Sequence, residues 1–201
     1  MTEVAAYSDT PKKSPRIVMR TATWLNVCYG VAEAVIGGTT GSSAALANGV
    51  HNASDGVSHA MHTATHIEEH KEYSRAHAVQ KRRRWAAGAI AVGALLTGAN
   101  AYTALQQHES VPLNTQALIA ELGAVSINAG LLTAIRRRKD ATMAYTDAKR
   151  HFMVDGSIAT CTAAAVAANP YFSYADGIGG VVATGASLWL AYRTWQPNHG
   201  A

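Results

Sequence analysis

His51 and Asp55 stand one helical turn apart in Asn48-Gly-Val-His51-Asn-Ala-Ser-Asp55-Gly, and the same pair, followed by the same glycine, returns at His151-x-x-x-Asp155-Gly156. Imidazole nitrogens and carboxylate oxygens are metal ligands, and an i,i+4 spacing on an α-helix points both side chains of a pair in one direction. Two such pairs on two helices can bring four donors to a single ion. A satisfied interhelical His–Asp hydrogen bond is the plainer use of the same residues. Two imidazoles and two carboxylates form a borderline-hard tetrahedral set that suits Zn2+, with Co2+, Fe2+, Cd2+ or Mn2+ as alternatives. The two carboxylates also neutralise a divalent ion. Binding requires neutral histidine and ionised aspartate, so protons compete with the metal. Where one conformation opens to each side of a membrane, that competition couples metal exit to proton entry.

The first pair heads a longer stripe. His51, Asp55, His59, His62, His66 and His70 follow in steps of four, four, three, four and four, which keeps them within about 100° of arc over roughly 28 Å of helix. The lower members, His59, His62, His66 and His70, together with His77, admit three readings: an entry path that concentrates cations, a second metal site, or a solvated charged linker. His62-x-x-x-His66-x-x-x-His70 also imitates one box of a membrane di-iron oxygenase. Such enzymes need several boxes, and the remaining histidines, His77, His108, His151 and His199, are scattered. The expectation is therefore not an enzyme.

The elements that must position these residues are long and apolar. Charged residues make up only 15% of the 201-residue chain, against 48% hydrophobic, well below the charge of a typical soluble domain. Trp85 to Gln107 and Gly156 to Ala175 carry no charge, Thr21 to Gly41 carries only Glu33, and Ser110 to Ile135 carries only Glu121. Stretches of about 20 such residues match a bilayer. The mean hydropathy of −0.01 averages these segments with basic ones, and Ala and Gly, favoured between packed membrane helices, score weakly.

Every Lys and Arg lies in the N-terminal segment up to Arg20, in Lys71 to Arg84, in Arg136 to Arg150, or at Arg193. The turns Gly38 to Ser43, Gln107 to Asn114 and Asn169 to Ser173 carry none. This alternation predicts an all-α membrane protein, a bundle of six transmembrane helices with both termini cytoplasmic. The pI of about 9.2 then reports topology and contact with anionic headgroups, and no nucleic-acid partner is expected. The expected organisation is a flexible tail over 1–17, a six-helix domain over 18–196 and a short tail over 197–201, with no C-terminal cytoplasmic domain. Helices are expected from about Val18 to Gly37, from Ser43 through the stripe, from Trp85 to Gln106, from Thr115 to Ile135, from Thr146 to about Asn169 and from Tyr174 to Trp195. Asp55 and Asp155 then fall about 18 and 21 Å from the outer ends of their helices, at matching depth. Glu33, Asn48, Glu121, Asn128 and Asp176 are polar residues within the spans, serving either interhelical hydrogen bonds or transport. Cys28 and Cys161 read as small buried hydrophobes, unbridged.

The run Glu33 … Gly41-Ser-Ser-Ala-Ala-Leu-Ala-Asn48-Gly-Val-His51-Asn-Ala-Ser-Asp55, with Arg150-His151-Phe-Met-Val-Asp155, Asn128 and Asp176-Gly-Ile, resembles the transmembrane domain of the cation diffusion facilitator family of divalent-metal/proton antiporters. The resemblance covers about Val18 to Trp195. It implies that His51, Asp55, His151 and Asp155 bind the transported ion, of the zinc-preferring type, in a homodimer of the cell membrane that moves metal out of the cytoplasm against protons. Asn48 stands where many members carry an acid, Gly177 where proline is frequent, and the family's usual cytoplasmic domain is missing. A membrane metal sensor or chaperone using the same ligands without transport is the alternative.

Overall fold

The structure, a computed structural model, describes residues 14–69, 76–107, 113–137 and 143–196. Among them the chain is entirely helical: α1 Ser14–Thr40, α2 Ser43–Glu69, α3 Ala76–Gln107, α4 Thr115–Arg136, α5 Met143–Ala168 and α6 Ala175–Trp195. The expected six helices are present, with starts and stops close to the apolar segments. The largest difference is α3, which starts at Ala76 and takes in the Lys81 to Arg84 run. Lys, Arg, Gln and Ala are strong helix formers, so charge there does not mark the end of the helix. The tails 1–13 and 197–201 lie outside the described residues.

Among the described residues three helices are long and apolar enough to cross a membrane: Arg84–Gln107, Thr115–Arg136 and Lys149–Ala168. The bundle is apolar on the outside and polar within. Trp24, Trp85, Leu95, Leu96, Ile119 and Trp189 are exposed, whereas Glu33, Asn48, Asp55, Glu121, Asn128 and Asp155 rank among the largest fully buried side chains, at no more than 2% exposure. Water would penalise that distribution, and lipid favours it. Apolar packing between helices is done largely by alanine. Ala44 and Ala45 meet Ala117 and Val166, and Ala47 meets Ile158 and Ala183. The largest fully buried side chain among the described residues is Phe152, against Ala22, Leu131 and Ile135. Cys28 and Cys161 are free, as expected, but exposed. Their predicted burial is overturned because a small apolar group suits an apolar outer surface as well as a core.

Helix α2 packs against all five others. Its closest neighbour is α1, and glycine sets the distance. A Cβ added at Gly49 would lie 2.3 Å from the Ala34 nitrogen, and one at Gly30 would lie 2.4 Å from that of Ala53. The turn between α1 and α2 is two residues long, and its Gly41 takes the left-handed φ of 74°, which is nearly free for glycine alone. The N-terminus of α2 is tied across the bundle. Asp176, at the start of α6, accepts from the Ser42 hydroxyl at 2.6 Å and from the Ser43 backbone N–H and hydroxyl at 2.6 and 2.7 Å. An anion there satisfies donors that a helix start leaves open and complements its dipole. At the other end of the bundle the Arg84 guanidinium lies 5.5 Å over the Trp195 ring, joining the start of the apolar part of α3 to the end of α6.

Candidate metal centre

The two His–Asp pairs meet. His51 and Asp55 descend from α2, and His151 and Asp155 from α5, with exposures of 2%, 0%, 8% and 0%. His51 Nε2 lies 3.1 Å from Asp55 Oδ2 and 3.3 Å from Asp155 Oδ1. His151 Nε2 lies 3.1 Å from Asp55 Oδ2 and 3.8 Å from Asp155 Oδ2. Imidazole and carboxylate therefore alternate around a closed ring. His51, Asp55 and Asp155 each offer a ligand atom within 4.8 Å of the other two. A tetrahedron with bonds of about 2.0–2.1 Å has edges of roughly 3.3 Å, which the 3.1 and 3.3 Å spacings match. The 3.8 Å spacing from His151 to Asp155 is longer, and His151 stands outside that three-residue group.

The donor set also asks for positive charge. Neither Asp55 oxygen accepts a well-aligned hydrogen bond, nor does Asp155 Oδ2. The far nitrogen of His51, Nδ1, lies 2.8 Å from the Ser187 hydroxyl on α6, which itself reaches the Ala183 carbonyl at 2.8 Å. A carbonyl only accepts, so the Ser187 proton goes to Ala183 and the hydroxyl oxygen accepts from His51 Nδ1–H. Nε2 is then the nitrogen turned to the two carboxylates, and either a proton or a metal ion must sit on it. We expect Ser187→Ala to weaken divalent-metal affinity by roughly 10–100-fold, the usual effect of losing an outer partner of a ligating histidine. Competition titration against a chromophoric chelator checks it, and an unchanged constant would show that this hydroxyl does not fix the ring.

The remaining expected residues divide into groups. Glu33, Asn48 and Glu121 are buried together: the Asn48 amide donates to Glu33 Oε1 at 3.0 Å and to Glu121 Oε2 at 2.8 Å. Asn128 is buried beside α5, where a Cβ on Gly156 would come within 3.7 Å of its own Cβ. Asp176 belongs to the helix tie described above, away from the ring. Of the lower stripe, His70 lies outside the described residues. His59, His62, His66 and His77 are placed by their helical backbone alone.

Three contributors escaped the sequence reading. Ser187 holds His51, Asn52 donates to Glu33 Oε2 at 2.8 Å, and Thr162 donates to Glu121. Helical spacing carried a signal for two of them. Thr162 is seven residues beyond Asp155 and Ser187 eleven beyond Asp176, each on the same face as the earlier acid. No protein-family model matches this sequence and no curated protein matches it significantly.

Proposed function

We propose that the chain is a divalent-cation transporter, with zinc as its substrate, which exchanges the ion for protons at His51, Asp55, His151 and Asp155. On this reading all six helices cross the membrane and both termini are cytoplasmic. The basic residues Arg20, Arg84, Arg136, Lys149, Arg150 and Arg193 then share one end of the bundle, opposite the turns at Gly41, Asn114 and Asn169, which carry no Lys or Arg. The observation that carries the proposal is the closed ring of alternating imidazole and carboxylate inside a bundle with an apolar exterior.

The chemistry follows from charge. Two aspartates and a dipositive ion sum to zero, which is what a site deep in lipid tolerates. With the ion gone, protons on the imidazoles supply the missing charge. Two neutralised states with different cargo are the minimum that an exchanger needs. The donors favour zinc over hard ions such as Mg2+, which prefer six oxygens.

Proteoliposomes carrying a zinc-sensitive dye and a pH dye test this. Zinc is expected to move one way and protons the other, and an imposed pH gradient should drive zinc against its own gradient. Acidifying the side from which zinc binds should weaken its apparent affinity, by about tenfold per pH unit for each proton displaced. Stoichiometric binding without flux would overturn transport and leave a resident-metal protein. Absence of binding would overturn the metal ring itself.

A further inference from the structure

About one turn of α2 from the ring lies a second ionisable cluster that the metal reading leaves unused. Glu33 on α1 and Glu121 on α4 are 1% and 0% exposed, and a single amide nitrogen, Asn48 Nδ2, donates to both at 3.0 and 2.8 Å. Asn52 donates to the second oxygen of Glu33 at 2.8 Å, and Thr162 on α5 donates to Glu121 Oε2. Every oxygen of the two carboxyls is thus engaged except Glu121 Oε1, which is buried without a hydrogen-bond partner. The Asn48 carbonyl oxygen, covalently tied to the bridging nitrogen, is also buried with no donor.

Among the described residues no lysine or arginine pairs with these two carboxyls. Their surroundings are the Tyr29 hydroxyl of α1, which donates to the Ala120 carbonyl, Thr162 of α5, and Asp176 of α6, already held by Ser42 and Ser43. On α2 the nearest ionisable groups are His51 and Asp55, committed to the ring. Two adjacent carboxylates that share one neutral donor cannot both stay ionised inside an apolar bundle, because each uncompensated charge costs several kcal/mol there. A proton is the smallest ligand that removes one of them. The unengaged Glu121 Oε1 is the atom with room for it.

We propose that Glu33 and Glu121, bridged by Asn48, form a proton-binding site with the proton on Glu121 Oε1, and that zinc entering the neighbouring ring expels it. The second half rests on the transport reading; the first does not. The step is a simple ionisation. The O–H bond of the Glu121 carboxyl breaks, its electrons stay on the carboxylate, and the proton leaves to solvent. The added negative charge faces the dipositive ion one turn away and is stabilised by it.

Infrared difference spectroscopy on the purified full-length protein, with zinc ion as the probe, tests both halves. Metal-free protein should show the carbonyl stretch of a protonated carboxylic acid. Glu121→Gln should remove the band, and Thr162→Val, which keeps the acid but removes a donor to it, should shift the band. Zinc should bleach the band in the unaltered protein. Protons released per bound zinc, read with an indicator in weak buffer, should fall by about one in Glu121→Gln. A band unmoved by either substitution would overturn the site, as would sodium-dependent zinc flux with no acid band, which would indicate a bound alkali ion. A band that vanishes in Glu121→Gln but ignores zinc would keep the site and overturn its coupling. If the unaltered protein moves no zinc, the transport reading fails while the band still decides the proton site.

Discussion

On the proposed reading, Asp155→Asn is expected to abolish zinc flux and to lower zinc affinity by more than roughly 100-fold. Asp155 touches His51 at 3.3 Å and His151 at 3.8 Å, so the exchange breaks the ring at two joints and removes one of the two charges that neutralise the ion. That loss exceeds the roughly 10–100-fold typical of groups that only orient a ligand. The amide keeps the volume of the carboxyl, so the bundle still folds. Zinc content after dialysis, measured with cobalt, iron and manganese in the same sample, separates a ligand defect from a change of metal. His51→Ala should have the same outcome. Retention of full flux in either variant would end the assignment of these residues as ligands.

Gly49→Leu is expected to dismantle the α1–α2 hairpin. A Cβ at Gly49 would already stand 2.3 Å from the Ala34 nitrogen and 2.7 Å from the Gly30 carbonyl oxygen, both backbone atoms that cannot turn aside. The helices have to separate, and with them the bonds from Asn48 and Asn52 to Glu33. Overpacking a core costs about 1–3 kcal/mol when side chains can give way, and here the obstacle is main chain, so a larger loss is expected. Thermal unfolding and elution profile in detergent read it. Gly185→Ala, where an added Cβ meets nothing within 4 Å, is the control and should change stability by no more than ~0.5 kcal/mol. Equal stability of the two variants would contradict the close approach of α1 and α2.

The ring was legible because its information is local. An i,i+4 pair fixes direction on any helix, and equal depth along two helices needs only the rise per residue. Helix limits were legible for the same reason, except at α3, where the arginine run was read as a connection. What the sequence withheld was lateral. Thr162 and Ser187 are small polar residues in mid-helix, and both also bond back to their own helix, at 3.0 and 2.8 Å. That use is common to such residues and hides the second one. Which of them faces an acid or an imidazole depends on the rotation of α5 and α6 against their neighbours. The cysteines were misjudged because burial was equated with an apolar side chain, a rule that reverses where the outer surface is apolar too.

The tie from Asp176 to Ser42 and Ser43 and the bond from Ser187 to His51 join the same two helices at two heights. Fastened twice, α2 and α6 act as one stave. On the proposed transport reading, a motion that opens the ring to one side and then the other would run along the seam between that stave and α5, parting His51 and Asp55 from His151 and Asp155 as intact pairs. The proposed cargo would then sit on the fracture plane, and each half of the cycle would hand it from a four-point grip to a two-point one.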